Sequence, residues 1–254
     1  MFLDAIVADV DDRAKRLLPV SRYLRERALA MPPGRSLHRA LDGPALAVIA
    51  ECKQKSPSKG WLTDAYDPVA QAQQYERQGA NAISVLTEPK FFAGDLVHLE
   101  AVRSAVDLPI LRKDFVRDPV QLYEARAYGA DAVLLIVRIV DGPRLSDLYQ
   151  TAVGIGLEVV VEIHSPREAE RALVLRPAMV GVNNRDLDTF ETRLEFSRDM
   201  AEVVPPSLVR ISESGITAVS DLDQVSAWGY HAVLIGESLM RGSELLTERT
   251  HDPR

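Results

Sequence analysis

From Ala45 onward the chain repeats one unit, a short, nearly continuous apolar run followed by a polar stretch of helical periodicity, at intervals of roughly 20–30 residues. Eight runs stand out: Leu46–Cys52, Ala82–Leu86, Pro109–Lys113, Ala132–Val137, Glu158–Glu162, Ala178–Asn183, Leu208–Ser212 and His231–Gly236. A strand that is apolar at every position is buried on both faces, which is the signature of a parallel sheet covered by helices. Gly79, Gly129 and Gly229 each stand two or three residues before such a run, where a glycine can take the left-handed conformation that ends a helix. Eight strand–helix units predict an α/β fold, a (β/α)8 TIM barrel, over an open doubly wound sheet.

Residues 1–45 do not follow this pattern. Leu3, Ile6, Val7, Val10, Leu17 and Leu18 recur at helical spacing until Met31-Pro32-Pro33-Gly34 interrupts them. We therefore divide the chain into an N-terminal helical extension, 1–45, and a barrel domain, 46–254, with the apolar stripe of the extension covering an end of the barrel. A length of 254 residues suits one such domain with an appendage.

The net charge of −7, with Lys and Arg scattered, gives no basic stripe for nucleic acid. No window approaches the ~20 apolar residues of a membrane span. The lone Cys52 and a start without a signal-peptide pattern point to the cytoplasm. The five histidines show no metal-ligand spacing, so no metal is expected. His164, the one histidine near the strand ends, reads as a loop residue. Gly154-Ile155-Gly156 precedes a run and lacks a third glycine, so it is not a dinucleotide fingerprint.

In a barrel of this kind chemistry gathers at the C-terminal ends of the strands. Five runs end in ionisable or amide side chains: Glu51 with Lys53, Lys113, Glu162, Asn183 with Arg185, and Glu213 with Ser214. Any one of them is most simply a solvated strand end, but five together weaken that explanation. Alternation along a strand puts Glu51 and Lys53 on one face and Cys52 on the other, and separates Lys113 from Arg112 and Asp114. Ser214-Gly215-Ile216 and Gly236-Glu237-Ser238 follow the seventh and eighth runs, the usual place of a phosphate site. There the Glu237 carboxylate would repel phosphate, leaving its backbone as the donor. Lys53, Lys55 and Lys59 make the loop around Ser56-Pro57-Ser58-Lys59-Gly60 electropositive, which favours an anionic ligand; the loop is either a lid or an ordinary polar connection.

The segment Ile49-Ala50-Glu51-Cys52-Lys53-Gln54-Lys55-Ser56-Pro57-Ser58-Lys59-Gly60 resembles the signature of the indole-3-glycerol phosphate synthases. So, in order, do Ser84–Gly94 around Leu86-Thr87-Glu88, Leu111-Arg112-Lys113-Asp114-Phe115, Gly181-Val182-Asn183-Asn184-Arg185-Asp186-Leu187, Ser212-Glu213-Ser214-Gly215-Ile216 and Gly236-Glu237-Ser238-Leu239-Met240. The resemblance implies a carboxy-lyase of tryptophan biosynthesis that needs no cofactor. Such an enzyme converts 1-(2-carboxyphenylamino)-1-deoxyribulose 5-phosphate to indole-3-glycerol phosphate by ring closure, decarboxylation and dehydration. By the same resemblance Lys113 is the general acid and Glu162 the acid/base of dehydration. Glu51 and Lys53 complete a charge network, Glu213 is a further catalytic residue, and Asn183 and Ser214 orient the reacting centre. Substrate is held by Ser56, Phe92, Phe115, Leu134, Arg185, Gly215, Gly236, Glu237 and Ser238. The implied partner is one anionic, phosphorylated small molecule, with no nucleic acid and no membrane, and a monomer is left open. Cys52 and Trp61 depart from the aliphatic residues common in the family, and Ala93 is smaller than usual. A phosphoribosylanthranilate isomerase using a Cys/Asp pair and a non-catalytic binding barrel are the competing readings.

Overall fold

In a computed structural model, which describes residues 2–63 and 65–248, the eight apolar runs close into a parallel barrel. Its strands are β1 (Ala47–Cys52), β2 (Ala82–Leu86), β3 (Ile110–Lys113), β4 (Ala132–Ile136), β5 (Glu158–Ile163), β6 (Met179–Asn183), β7 (Val209–Glu213) and β8 (Ala232–Ile235). Each strand pairs with its sequence neighbours, and β1 closes the ring against β8. The last six residues of the chain lie outside the described structure.

Three helices precede the barrel: α1 (Phe2–Leu17), α2 (Ser21–Ala30) and α3 (Leu37–Leu41). The outer ring follows as α4 (Pro68–Arg77), α5 (Leu96–Ala105), α6 (Pro119–Ala127), α7 (Gly142–Gly154), α8 (Pro166–Leu173), α9 (Glu195–Ala201) and α10 (Val219–Ala227). Several starts are written locally. Asp67-Pro68, Asp118-Pro119 and Ser165-Pro166 put a side-chain acceptor at the N-cap and a proline at the first helical position, where its missing N–H is not needed. Gly79, Gly129 and Gly229 do adopt left-handed backbone after their helices, at φ 88°, 93° and 80°.

The apolar side chains of the extension pack on the barrel domain in two places. Ile6 and Val10 of α1 join the main hydrophobic cluster, while Leu24 and Ala28 of α2 pack on Val120 and Ala127 of α6. Leu18, counted in the apolar stripe of the sequence, is 53% exposed because the chain leaves α1 for a 3-10 turn there. Ion pairs fasten α1 to the mouth: Arg13 to Asp114 at 3.0 Å, Asp11 to Arg117 at 2.7 Å and Asp9 to Lys90 at 3.4 Å. Among the described residues no helix is long and apolar enough to cross a membrane.

Candidate active site

The C-terminal ends of the strands surround a cavity of about 530 Å³. Parallel register explains the convergence. Glu162 stands opposite Gly181, and Asn183 opposite Glu213, so side chains from distant sequence share one layer. Lys113 reaches across the barrel between two carboxylates, with its Nζ 3.3 Å from Glu162 Oε2 and in close contact with Glu213 Oε2. Asn183 Nδ2 donates to Glu162 Oε1 at 3.3 Å. Beside them Lys53 Nζ donates to Glu51 Oε1 at 2.5 Å, and both residues are buried.

Burial alone would strip charge from this cluster, and the pairing decides otherwise. Burial pulls the Lys113 ammonium down, but Glu213 and then Glu162 reverse this and raise its pKa, so it stays charged. Burial pushes the Glu162 carboxyl up, yet Lys113 and then His164 hold it well below the usual carboxylate range. Glu213 goes the other way: burial raises it, Lys113 opposes, and neighbouring Glu162 adds to the rise. Two carboxylates beside one ammonium thus become unequal, one ionised and one close to taking a proton.

The wall is partly apolar. Phe92 and Phe115 lie 6.2 Å apart between ring centroids, and Leu134 and Ile6 complete that side. Glu88 fixes Phe92 by accepting from the backbone N–H groups of Lys90, Phe91 and Phe92. Opposite lie Arg185, Ser214, Gly215, Gly236, Glu237 and Ser238. Arg185 NH2 sits 3.3 Å from the Glu237 carboxylate, which is drawn aside from the glycines. The Ser238 hydroxyl donates to the Ile216 carbonyl at 2.6 Å, so the free donor of Ser238 is its backbone.

Two predicted site residues are not in the wall. Ser56 is buried in a hairpin, Lys55–Ser56 against Gly60–Trp61, where its hydroxyl accepts from Lys59 N at 3.2 Å; Pro57, Ser58 and Lys59 line the cavity in its stead. Glu213 lies beneath the wall and meets the site through Lys113. His164 does lie in the connection after β5, but its side chain is 2% exposed and packs behind Glu162. Cys52 is fully buried in the main core, so the cysteine of the isomerase reading is not at the mouth.

The chain matches the family model described as indole-3-glycerol phosphate synthase over residues 3–250. It belongs to that family. Proteins named indole-3-glycerol phosphate synthase are similar along nearly its full length. The one from Carboxydothermus hydrogenoformans is 47% identical, covering 96% of each chain. That from Geobacillus thermodenitrificans is 47% identical over 85% of each, and that from Mycolicibacterium smegmatis 42% identical over 98% of this chain and 95% of its own.

Several supports of this synthase-family site escaped the sequence reading. Arg112, on the outer face of β3, is buried and binds Asp114 at 2.9 Å and Glu124 of α6 at 2.8 Å. Asp114 also accepts from Thr87 Oγ1 at 2.7 Å and meets Arg13 of α1. This network clamps the strand end that carries Lys113, and the opposite charges of Arg112 and Asp114 on one face were its visible signal. Ser214 adopts φ 68°, an unusual backbone for a residue with a Cβ. Buried Asn184 holds it there by donating to the Ser214 carbonyl and Ser212 Oγ, both at 3.0 Å. Gly181 has a steric reason: a Cβ there would land on Glu213 Oε1. At Gly236 a Cβ would strike Glu51 Oε1 and come within 3.0 Å of Lys53 Nζ. Among the described residues no group of three His, Cys, Asp or Glu could hold a metal ion.

Proposed function

We propose that this chain carries out its family's reaction by dividing the proton transfers between Lys113 and Glu162. That reaction is the conversion of 1-(2-carboxyphenylamino)-1-deoxyribulose 5-phosphate to indole-3-glycerol phosphate, carbon dioxide and water. The observation that carries the reading is a Lys113 ammonium lodged between Glu162 and Glu213 at the floor of a half-apolar cavity.

Ring closure requires the aromatic carbon to attack the sugar carbonyl, whose oxygen must gain a proton. An ammonium has donors only, which suits Lys113 to that task. Phe92, Phe115 and Leu134 offer a dry surface for the aromatic ring, favouring the folded-back substrate and the loss of its carboxylate as carbon dioxide. Dehydration then needs one proton delivered to the departing hydroxyl and one removed from the adjacent carbon. Glu162 rests as a carboxylate and therefore enters as the proton acceptor, taking the proton from carbon and returning it to the departing hydroxyl, with Asn183 fixing its other oxygen. Glu51 and Lys53 assist, Lys53 also drawing in substrate anions. Backbone N–H groups of Gly215, Gly236, Glu237 and Ser238 form the phosphate side with Arg185. Ser214 orients the reacting centre through its constrained backbone. The reading also includes a cytoplasmic enzyme, supported by a lone and fully buried thiol.

The test is direct. Purified protein with the carboxyphenylamino substrate should generate the indole fluorophore and release carbon dioxide in equal amounts. No fluorescence at high enzyme concentration overturns the reading.

A further inference from the structure

His164 has no part in the proton transfers assigned above, yet it is buried and lies between two acids. Its Nε2 is 3.2 Å from Glu162 Oε1 and its Nδ1 3.5 Å from Glu168 Oε2, distances of ion pairing without aligned hydrogen bonds. Glu168 stands in the first turn of α8, and its Oε2 also accepts from the His164 backbone N–H at 2.8 Å. Its Oε1 is held by Arg138 Nε at 3.0 Å, and Arg138 reaches Asp186 at 3.2 Å. Charges thus alternate from Asp186 through Arg138, Glu168, His164 and Glu162 to Lys113. Arg138, His164 and Asp186 come from the connections after β4, β5 and β6, and Glu168 from α8, so the chain ties three separate loops to the reacting pair.

We propose that His164 is a positioning residue, an imidazolium anchored by Glu168 that holds the Glu162 carboxylate ionised and aimed at Lys113. This rests on the acid–base role given to Glu162. A neutral imidazole there would face acceptors on both sides with only one N–H, leaving a buried lone pair against a carboxylate. The charged groups facing the ring are Glu162 from the end of β5 and Glu168 from α8. Arg138 acts through Glu168 and Lys113 through Glu162. Burial pulls the imidazole pKa down, but Glu162 and Glu168 together raise it to about 9.

Two variants and one titration test this. In His164→Asn we expect turnover to fall on the order of 10- to 100-fold with KM little changed. The acid limb of its kcat profile should move to higher pH, because one of the two cations holding Glu162 ionised is gone. Glu168→Gln keeps the imidazole but removes its anchor, so the basic limb should move to lower pH. Nitrogen NMR of ring-labelled wild-type protein should find His164 doubly protonated at pH 7.5. A neutral His164 at that pH, or pH profiles of both variants superimposable on wild type after scaling, would overturn the proposal. The NMR reading needs no turnover, so it separates failure of this role from failure of the enzymatic assignment.

Discussion

The tightest steric condition in the site is the absence of a side chain at Gly181, and Gly181→Ala tests it. The added methyl would fall on Glu213 Oε1, 3.3 Å from Glu213 Cδ and 3.1 Å from Val160 Cγ1. The backbone has no freedom to retreat, since Gly181 is paired to Glu162 on one side and Ile211 on the other. The Glu213 carboxyl must turn away from Lys113 or the barrel must strain. Overpacking of this kind costs about 1–3 kcal/mol. Taking about 2 kcal/mol, Tm should fall by about 4–8 °C in a protein of this size. Lys113 would lose the partner that most raises its pKa and its fixed position, and turnover should fall by about 10²-fold, the cost typical of an ångström misplacement. Thermal unfolding by circular dichroism and indole fluorescence measure the two effects. The decisive comparison is a cycle with Glu213→Ala. Once the carboxyl is gone the methyl has room, so the double variant should be little less stable than Glu213→Ala alone, a coupling of about 1–3 kcal/mol. Additive losses, or a Gly181→Ala protein with wild-type Tm and turnover, would refute the steric reasoning.

Other expectations follow from the same geometry. Lys113→Ala should lose about 10²–10⁴-fold in turnover with little change in KM, and an unchanged turnover number would remove it from the acid role. Glu162→Gln should slow dehydration more than ring closure, so rapid-quench sampling should find a closed-ring intermediate; reduced turnover without one contradicts the division of labour. Arg112→Met should destabilise by about 3–5 kcal/mol in urea titrations, because Asp114 and Glu124 would remain buried with less compensation. The raised pKa of His164 has a signed consequence for stability. Its contribution is fully present below the unfolded value near 6.5 and is lost as pH rises through about 9, so wild-type protein should lose stability across that interval relative to His164→Asn. A constant difference in Tm between the two from pH 6 to 9.5 would contradict it.

The sequence by itself determined the strands and most of the mouth. A strand buried on both faces has no polar alternation to hide it, so each of the eight apolar runs matches its observed strand to within one residue at each end. Parallel closure puts all C-terminal ends at one rim, and polar residues ending apolar runs could therefore be read as neighbours. Phe92, in the short helix Pro89–Phe92 after β2, ends no apolar run and came only with the family motifs. Tertiary structure alone decided which acid meets Lys113 at closest range, why Gly181 must lack a side chain, that Ser56 turns into its hairpin, and that His164 is buried between two carboxylates. Each of these depends on groups brought together across the barrel or held by the loop's own backbone, and the charge state of a buried group is set by such neighbours. Local pattern carries periodicity, whereas the pairing of buried charges is a property of the closed ring.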